Sequence, residues 1–166
     1  MQTRDKVFIS YSHDDKNSLK ELQKHLAPYI NNDLITVWDD TQIRPGARWK
    51  ESIERALASA KVAVLLVSPD FLYSRFIAEH ELQPLLEAAR NQGVVILWVP
   101  IRASSFEETA IADYQSVHPP KKPLASLRRG ARDDAWVNIC KAIQREYRRL
   151  WRTVLTGLQV RTNPGR

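Results

Sequence analysis

Apolar residues along this chain fall into short runs separated by stretches in which they recur every three or four positions. Residues 6–11, 34–38, 62–67 and 94–101 are the runs, rich in β-branched and aromatic side chains, and they predict strands. The run at 62–67 is the most apolar and predicts a central strand buried on both faces. Between the runs, Leu19, Leu22, Leu26 and Ile30 predict a helix over 17–30, with Pro28 kinking or shortening its end. Ile53, Ala56, Leu57 and Ala60 predict a second helix. A third, over about 75–91, carries Ala78, Leu82, Leu85, Leu86 and Ala89 on one face. Pro84 cannot donate to the carbonyl of His80, so a bend is expected there. Trp136, Ile139, Ile143, Tyr147, Leu150 and Trp151 predict a long terminal helix. Residues 103–130, interrupted by Pro119, Pro120 and Pro123, read as mostly irregular, with one helical turn and one short edge strand.

Strands alternating with helices imply an α/β fold, a parallel sheet of about five strands with helices on both faces. In such folds ligands collect at the carboxyl edge of the strands. That edge carries residues 11–15, 39–49, 68–74 and 102–106.

A chain of 166 residues fits one domain with a real apolar core. Residues 1–150 are assigned to it, and 151–166 to a basic tail or the beginning of a linker. Of the net charge of +6, residues from Arg145 onward carry +5, which leaves the body nearly neutral. The basic segment therefore reads as a last helix and tail, and nucleic acid is not an expected partner. Cys140, the single cysteine, lies in an apolar run, so neither an internal disulfide nor a cysteine metal cluster is expected. No run is long enough to cross a bilayer and the start is not a signal region, so a cytoplasmic location without membrane contact is the expectation. No phosphate-cradling glycine loop follows the first strand, and five glycines occur in all, which argues against a dinucleotide fold of the glycine-rich type or a Walker loop.

Three stretches, in order, are Val7-Phe-Ile-Ser-Tyr-Ser-His-Asp-Asp15; Val37-Trp-Asp-Asp followed by Ile43-Arg-Pro-Gly46; and Ser68-Pro-Asp-Phe-Leu-Tyr-Ser74 followed by Glu81-Leu82. Together they resemble the signature blocks of Toll/interleukin-1 receptor (TIR) domains, in the wording of prokaryotic members. The resemblance implies a flavodoxin-like, three-layer fold. It also implies one of two functions. Some TIR domains cleave the nicotinamide–ribose bond of NAD⁺, giving nicotinamide with ADP-ribose or a cyclic isomer, and are activated by self-association. A bacterial immune or anti-phage effector role goes with that reading. Others are non-catalytic modules that signal through TIR–TIR contacts.

In the enzymatic members a glutamate on the helix after the third strand is essential, and the matching residue is Glu81. A carboxylate there stabilises the positive charge that develops on ribose as neutral nicotinamide departs. Helical periodicity alone does not choose it, since Glu79 and Glu81 lie equally far from the apolar stripe on opposite sides. Ile77 stands one turn earlier, where enzymatic relatives often carry tryptophan. Tyr11, at the end of the first strand, reads either as core or as pocket wall, and His13 as a polar pocket residue. The loop with Arg44, Gly46, Arg48 and Trp49 combines a turn, cations and an indole suited to pyrophosphate and base, or to subunit contacts. Trp49 also reads as a helix-start residue docked on the core. Asp39 and Asp40 read either as part of the cleft or, as preferred, as ordinary acidic strand ends. NAD⁺ enters as substrate, with no cofactor or metal; the partners implied are further copies of the chain and a fused or separate sensor domain.

Overall fold

The computed structural model describes residues 3–159, with side chains through Arg149. Four parallel strands, β1 (Lys6–Ser10), β2 (Val37–Trp38), β3 (Ala60–Val67) and β4 (Val95–Pro100), lie in the order β2-β1-β3-β4. Every residue of β3 is buried, as its unbroken apolar run requires of a central strand. Its side chains alternate between two cores. Val62, Val64 and Leu66 pack with Leu19, Leu22 and Leu26 of α1 (Lys16–Asn31) and with Trp136, Ile139, Cys140 and Ile143 of α6 (Arg129–Gln159). Ala63, Leu65 and Val67 pack with Ile53 and Leu57 of α2 (Trp49–Ala58) and with Leu85 and Leu86 of α5 (Gln83–Asn91). Helices thus cover both faces, the three-layer α/β arrangement expected.

Cys140 is buried in the first core, where loss of hydration pushes its thiol up to about 12. Trp136 is fully buried too, and its indole N–H donates to Glu21 Oε2 at 2.8 Å, which ties α6 to α1.

Several elements differ from expectation: Ala60, expected on the second helix, opens β3, and residues 103–130 hold three short helical turns rather than one. Among the described residues the sheet has four strands rather than five. Where a fifth was expected there is a single parallel bridge between Trp98 and Ser116, with Val117 N–H donating to the Trp98 carbonyl at 3.1 Å. Pro119 and Pro120, lacking N–H donors, cannot extend it into a ladder. Only Val37 and Trp38 pair with β1, because the Leu34 amide turns back to the Tyr29 carbonyl at 2.9 Å and Asp33 sits at a φ of 54°. Pro28 neither ends nor shortens α1, which runs on to Asn31; in the last turn its missing donor costs one bond.

The segment after β3 is built in steps. Ser68 caps α3 (Pro69–Tyr73), accepting from Phe71 N–H at 3.0 Å, and Ser74 caps α4 (Arg75–Ile77), accepting from Ile77 N–H at 3.3 Å. A π turn over Ala78–Leu82 then joins α4 to α5. The amide of Gln83 reaches back five residues to the carbonyl of Ala78. Pro84 follows at once and cannot bond to the His80 carbonyl, so the helix answers its proline with a widened turn.

α6 passes residue 150 without interruption and continues to Gln159. The side chains of Leu150, Trp151 and Arg152, and the polar end at 160–166 with Arg161 and Arg166, lie outside the described residues.

The exposed turn before α2 closes with Ala47 N–H donating to the Arg44 carbonyl at 3.0 Å, with Gly46 at a φ of 81°. That is a type II turn, which favours glycine at its third position. A β-carbon on Gly46 would meet no atom within 4 Å, so only the backbone resists substitution. Gly46→Ala should cost about 1 kcal/mol, measured by urea unfolding.

Candidate functional site

The chain changes direction between β1 and β3: the connection after β1 leads outward to β2, while β4 lies on the other side of β3. Such a switch point opens a crevice at the carboxyl ends of the strands. Here the crevice is a cleft of about 1180 Å³ walled by segments that follow β1, β2 and β3.

From β1 come Tyr11 and His13. Tyr11 is buried, and its hydroxyl donates to Asp40 Oδ1 at 2.5 Å. Burial first, then the bond to Asp40 and the charges of Asp40, Asp39 and Glu81, holds the phenol well above its ordinary ionisation range. His13 Nε2 lies 2.5 Å from the other oxygen of Asp40, and the His13 and Tyr11 rings sit 5.6 Å apart. Asp40 is held by the turn after β2, which Asp39 caps by accepting Thr41 N–H at 3.0 Å. Gln23 Nε2 anchors Asp39 from α1 at 3.1 Å.

From the helix after β3 comes Glu81. It lies within the π turn, is 8% exposed, and faces the cleft, while Glu79 is exposed on the far side. The inward stripe runs Ile77, Glu81, Leu85, and Ala78, expected on the inner face, is exposed. The extra residue in the π turn rotates the helix enough to exchange them. Burial, followed by the nearby charge of Asp40, pushes the Glu81 carboxyl from an ordinary 4.5 up to about 8. The hydroxyl of Ser10, at the end of β1, opposes this as a donor toward Glu81. Its geometry falls short of a full hydrogen bond, which leaves Ser10 Oγ buried without a partner.

Ile77 is buried and lines the cleft. Trp49 starts α2, lines the same cleft while 47% exposed, and packs against Phe76 with ring centroids 4.9 Å apart and the planes tilted by 55°. It is thus both a helix-start residue and a wall of the cleft. Tyr73, 89% exposed, stands at the rim.

The structure does not bring Arg44, Gly46 or Arg48 into the cleft. The type II turn carries them out to solvent, and Arg48 pairs with Glu51 at 3.1 Å. The cation that does line the cleft is Arg75, and among the described residues no ion pair holds it. A sequence signal for it existed. Arg75 opens a helical segment, where the macrodipole disfavours positive charge, and such a placement calls for an anion nearby. Asp40 also lines the cleft, bonded to Tyr11 and His13; that placement shows only when β1 and β2 are set side by side.

Beside the cleft a second polar cluster fixes the loops. Arg102, after β4, bonds Asp15 at 3.3 Å and also Asp70, and Ser68 donates to Asp15. Loss of hydration opposes the charge on Arg102, but the two carboxylates outweigh it and raise its pKa. Among the described residues no grouping of His, Cys, Asp or Glu is arranged to hold a metal ion, and no helix is long and apolar enough to cross a membrane.

A family model described as a TIR domain matches residues 7–147, most of the chain. The chain belongs to the TIR domain family. Among similar proteins, this TIR domain is 26% identical over 147 residues to an uncharacterized protein, y4lF, of Sinorhizobium fredii, covering 89% of the chain and 45% of that protein. It is 28% identical over 91 residues to a 2′ cyclic ADP-D-ribose synthase, BtTIR, of Bacteroides thetaiotaomicron, covering 54% of the chain and 30% of that protein. The chain therefore spans less than half the length of these curated relatives. Solved structures that resemble it include the TIR domain of the Toll-related receptor TRR-2 of Hydra magnipapillata, at 16% identity and a TM-score of 0.46, covering 66% of this chain and 82% of that one. The TIR domains of the activated Roq1 resistosome align at 17% identity and a TM-score of 0.43, covering 82% and 84%.

Proposed function

We propose that this TIR domain cleaves NAD⁺ at the bond between nicotinamide and ribose, releasing nicotinamide with ADP-ribose or a cyclic isomer. The observation that carries the reading is Glu81, a carboxyl group turned by a π turn into a crevice at the switch point of the sheet and deprived of water there. The name of the relative BtTIR supports it, since a cyclic ADP-ribose is an NAD⁺-derived product of such a cleavage.

The chemistry asks little of the protein beyond position and charge. The pyridinium of NAD⁺ leaves as neutral nicotinamide, taking the bonding electron pair, and positive charge spreads over ribose C1′ and its ring oxygen. Glu81 supplies the opposing negative charge where water cannot screen it. At neutral pH burial favours its protonated form, and the cationic nicotinamide–ribose end of an incoming NAD⁺ draws out the proton. Tyr11 and Asp40 form the wall beside it, Ile77 and Trp49 give apolar surface to the rings, and Arg75 faces the diphosphate. Arg75→Ala is expected to raise KM about tenfold with kcat little changed, the loss of one charge-assisted contact, measured by nicotinamide release against NAD⁺ concentration.

We place activation in self-association, with the turn at 44–47 and the exposed rings of Trp49 and Tyr73 at the contact, in the setting of a bacterial immune effector. The same exposed rings favour the second reading, a TIR–TIR interaction module without catalysis. Nicotinamide release from NAD⁺ at high protein concentration, wild type beside Glu81→Gln and Glu79→Gln, separates the two.

A further inference from the structure

Asp40 does more than line the cleft. It spends one carboxylate oxygen on the Tyr11 hydroxyl and the other on His13 Nε2, each at 2.5 Å. An ionised carboxylate only accepts, so the Nε2 facing it carries the proton. In the neutral ring the proton then resides on Nε2, and Nδ1 is left as a lone pair. The Tyr11 ring stands beside the imidazole and steadies it. The His13 side chain is 68% exposed and lines the cleft that Glu81 also lines. The cleft therefore holds a lone carboxyl group on one wall and an oriented histidine–carboxylate pair on another. Asp40 belongs to both, since its charge also reaches Glu81. The other charged groups lining the cleft are Asp14, Asp70 and Arg75, and none of them forms an ion pair with His13.

We propose that His13, oriented by Asp40, is the general base that activates the nucleophile attacking the ribosyl cation, with Asp40 and Tyr11 as positioning residues. This rests on the NAD⁺-cleavage reading. The bond from C1′ to the nicotinamide nitrogen breaks with its electron pair on nicotinamide. The oxygen of water, or of a ribose hydroxyl of the same molecule, forms the new bond to C1′. The proton lost by that oxygen passes to His13 Nδ1. Glu81 balances charge and His13 takes the proton, so two titratable side chains lining one cleft do different work.

The test is His13→Ala beside Glu81→Gln, assayed for nicotinamide release with and without added imidazole. His13 is exposed, so its removal leaves the core intact. Expected for His13→Ala is a fall in kcat of roughly 10²-fold at near-constant KM, recovered in proportion to the imidazole supplied. Glu81→Gln is expected to gain nothing from imidazole. Turnover in His13→Ala within about twofold of wild type overturns the base role while the cleavage reading stands, and so does a loss confined to KM. Wild type that releases no nicotinamide takes both down together. A second readout needs no turnover: ¹⁵N spectra of the imidazole should show the proton on Nε2, and a proton on Nδ1 in the neutral ring overturns the assignment.

Discussion

Glu81→Gln should lower nicotinamide release by about 10³-fold, whereas Glu79→Gln should leave it within about twofold of wild type. Glutamine keeps the volume of Glu81 without its charge, so a loss reports the missing charge and not a collapsed wall. Its effect should fall on kcat, because the carboxylate opposes a charge that is fully developed only in the transition state. Glu79 is the stringent control: it lies two residues away on the same π turn, carries the same group, and points to solvent. Equal losses in both variants would mean that the helix acts as a diffuse negative surface. No loss in either would leave the cleft as a docking site, and the exposed Trp49 and Tyr73 would then be its working parts.

The frame that holds this site was legible in the sequence because it is written in burial. The unbroken run at 62–67 became β3, and the helical spacing of Leu19, Leu22 and Leu26 became the inward face of α1. Of the edge segments named from strand ends, those after β1, β2 and β3 contribute Tyr11, His13, Asp40, Trp49 and Tyr73 to the switch point, while residues 102–106 do not line the cleft. What the pattern did not carry was the orientation of Glu81. A period of 3.6 residues puts Glu79 and Glu81 in equivalent positions, and the choice turned on a local departure from that period, the π turn ahead of Pro84. The proline was visible, but its effect was read as a bend. The cations expected in the cleft lie outside it for a related reason. Arg44 and Arg48 flank a Pro-Gly turn whose glycine at a φ of 81° sends the chain outward, so a loop close in sequence to the edge lies away from the cleft. Arg75 hides within a helical pattern and betrays itself only through its unfavourable place at a helix start. Asp40 required a pairing of β1 with β2 that no single run encodes.

The same Glu81→Gln substitution should stabilise the fold, by an amount that depends on pH. In the unfolded chain the carboxyl loses its proton near 4.5, while in the fold it holds it until about 8. Between these values the folded state binds the extra proton, so stability declines as pH rises through that window and is level on either side. Glutamine removes the slope. At pH 5 the two proteins should therefore unfold at similar urea concentrations, and by pH 9 the variant should be more stable by about 2–4 kcal/mol. Activity follows the opposite limb: kcat/KM of the wild type should climb with pH through about 8, where the carboxyl is half ionised, and level off above it. A variant that loses turnover and gains stability as pH rises marks a carboxyl kept in an unfavourable place for the sake of the reaction. Parallel unfolding of the two proteins at every pH would mean that Glu81 is hydrated in the resting cleft, and the rise of activity should then shift down toward an ordinary carboxylate value.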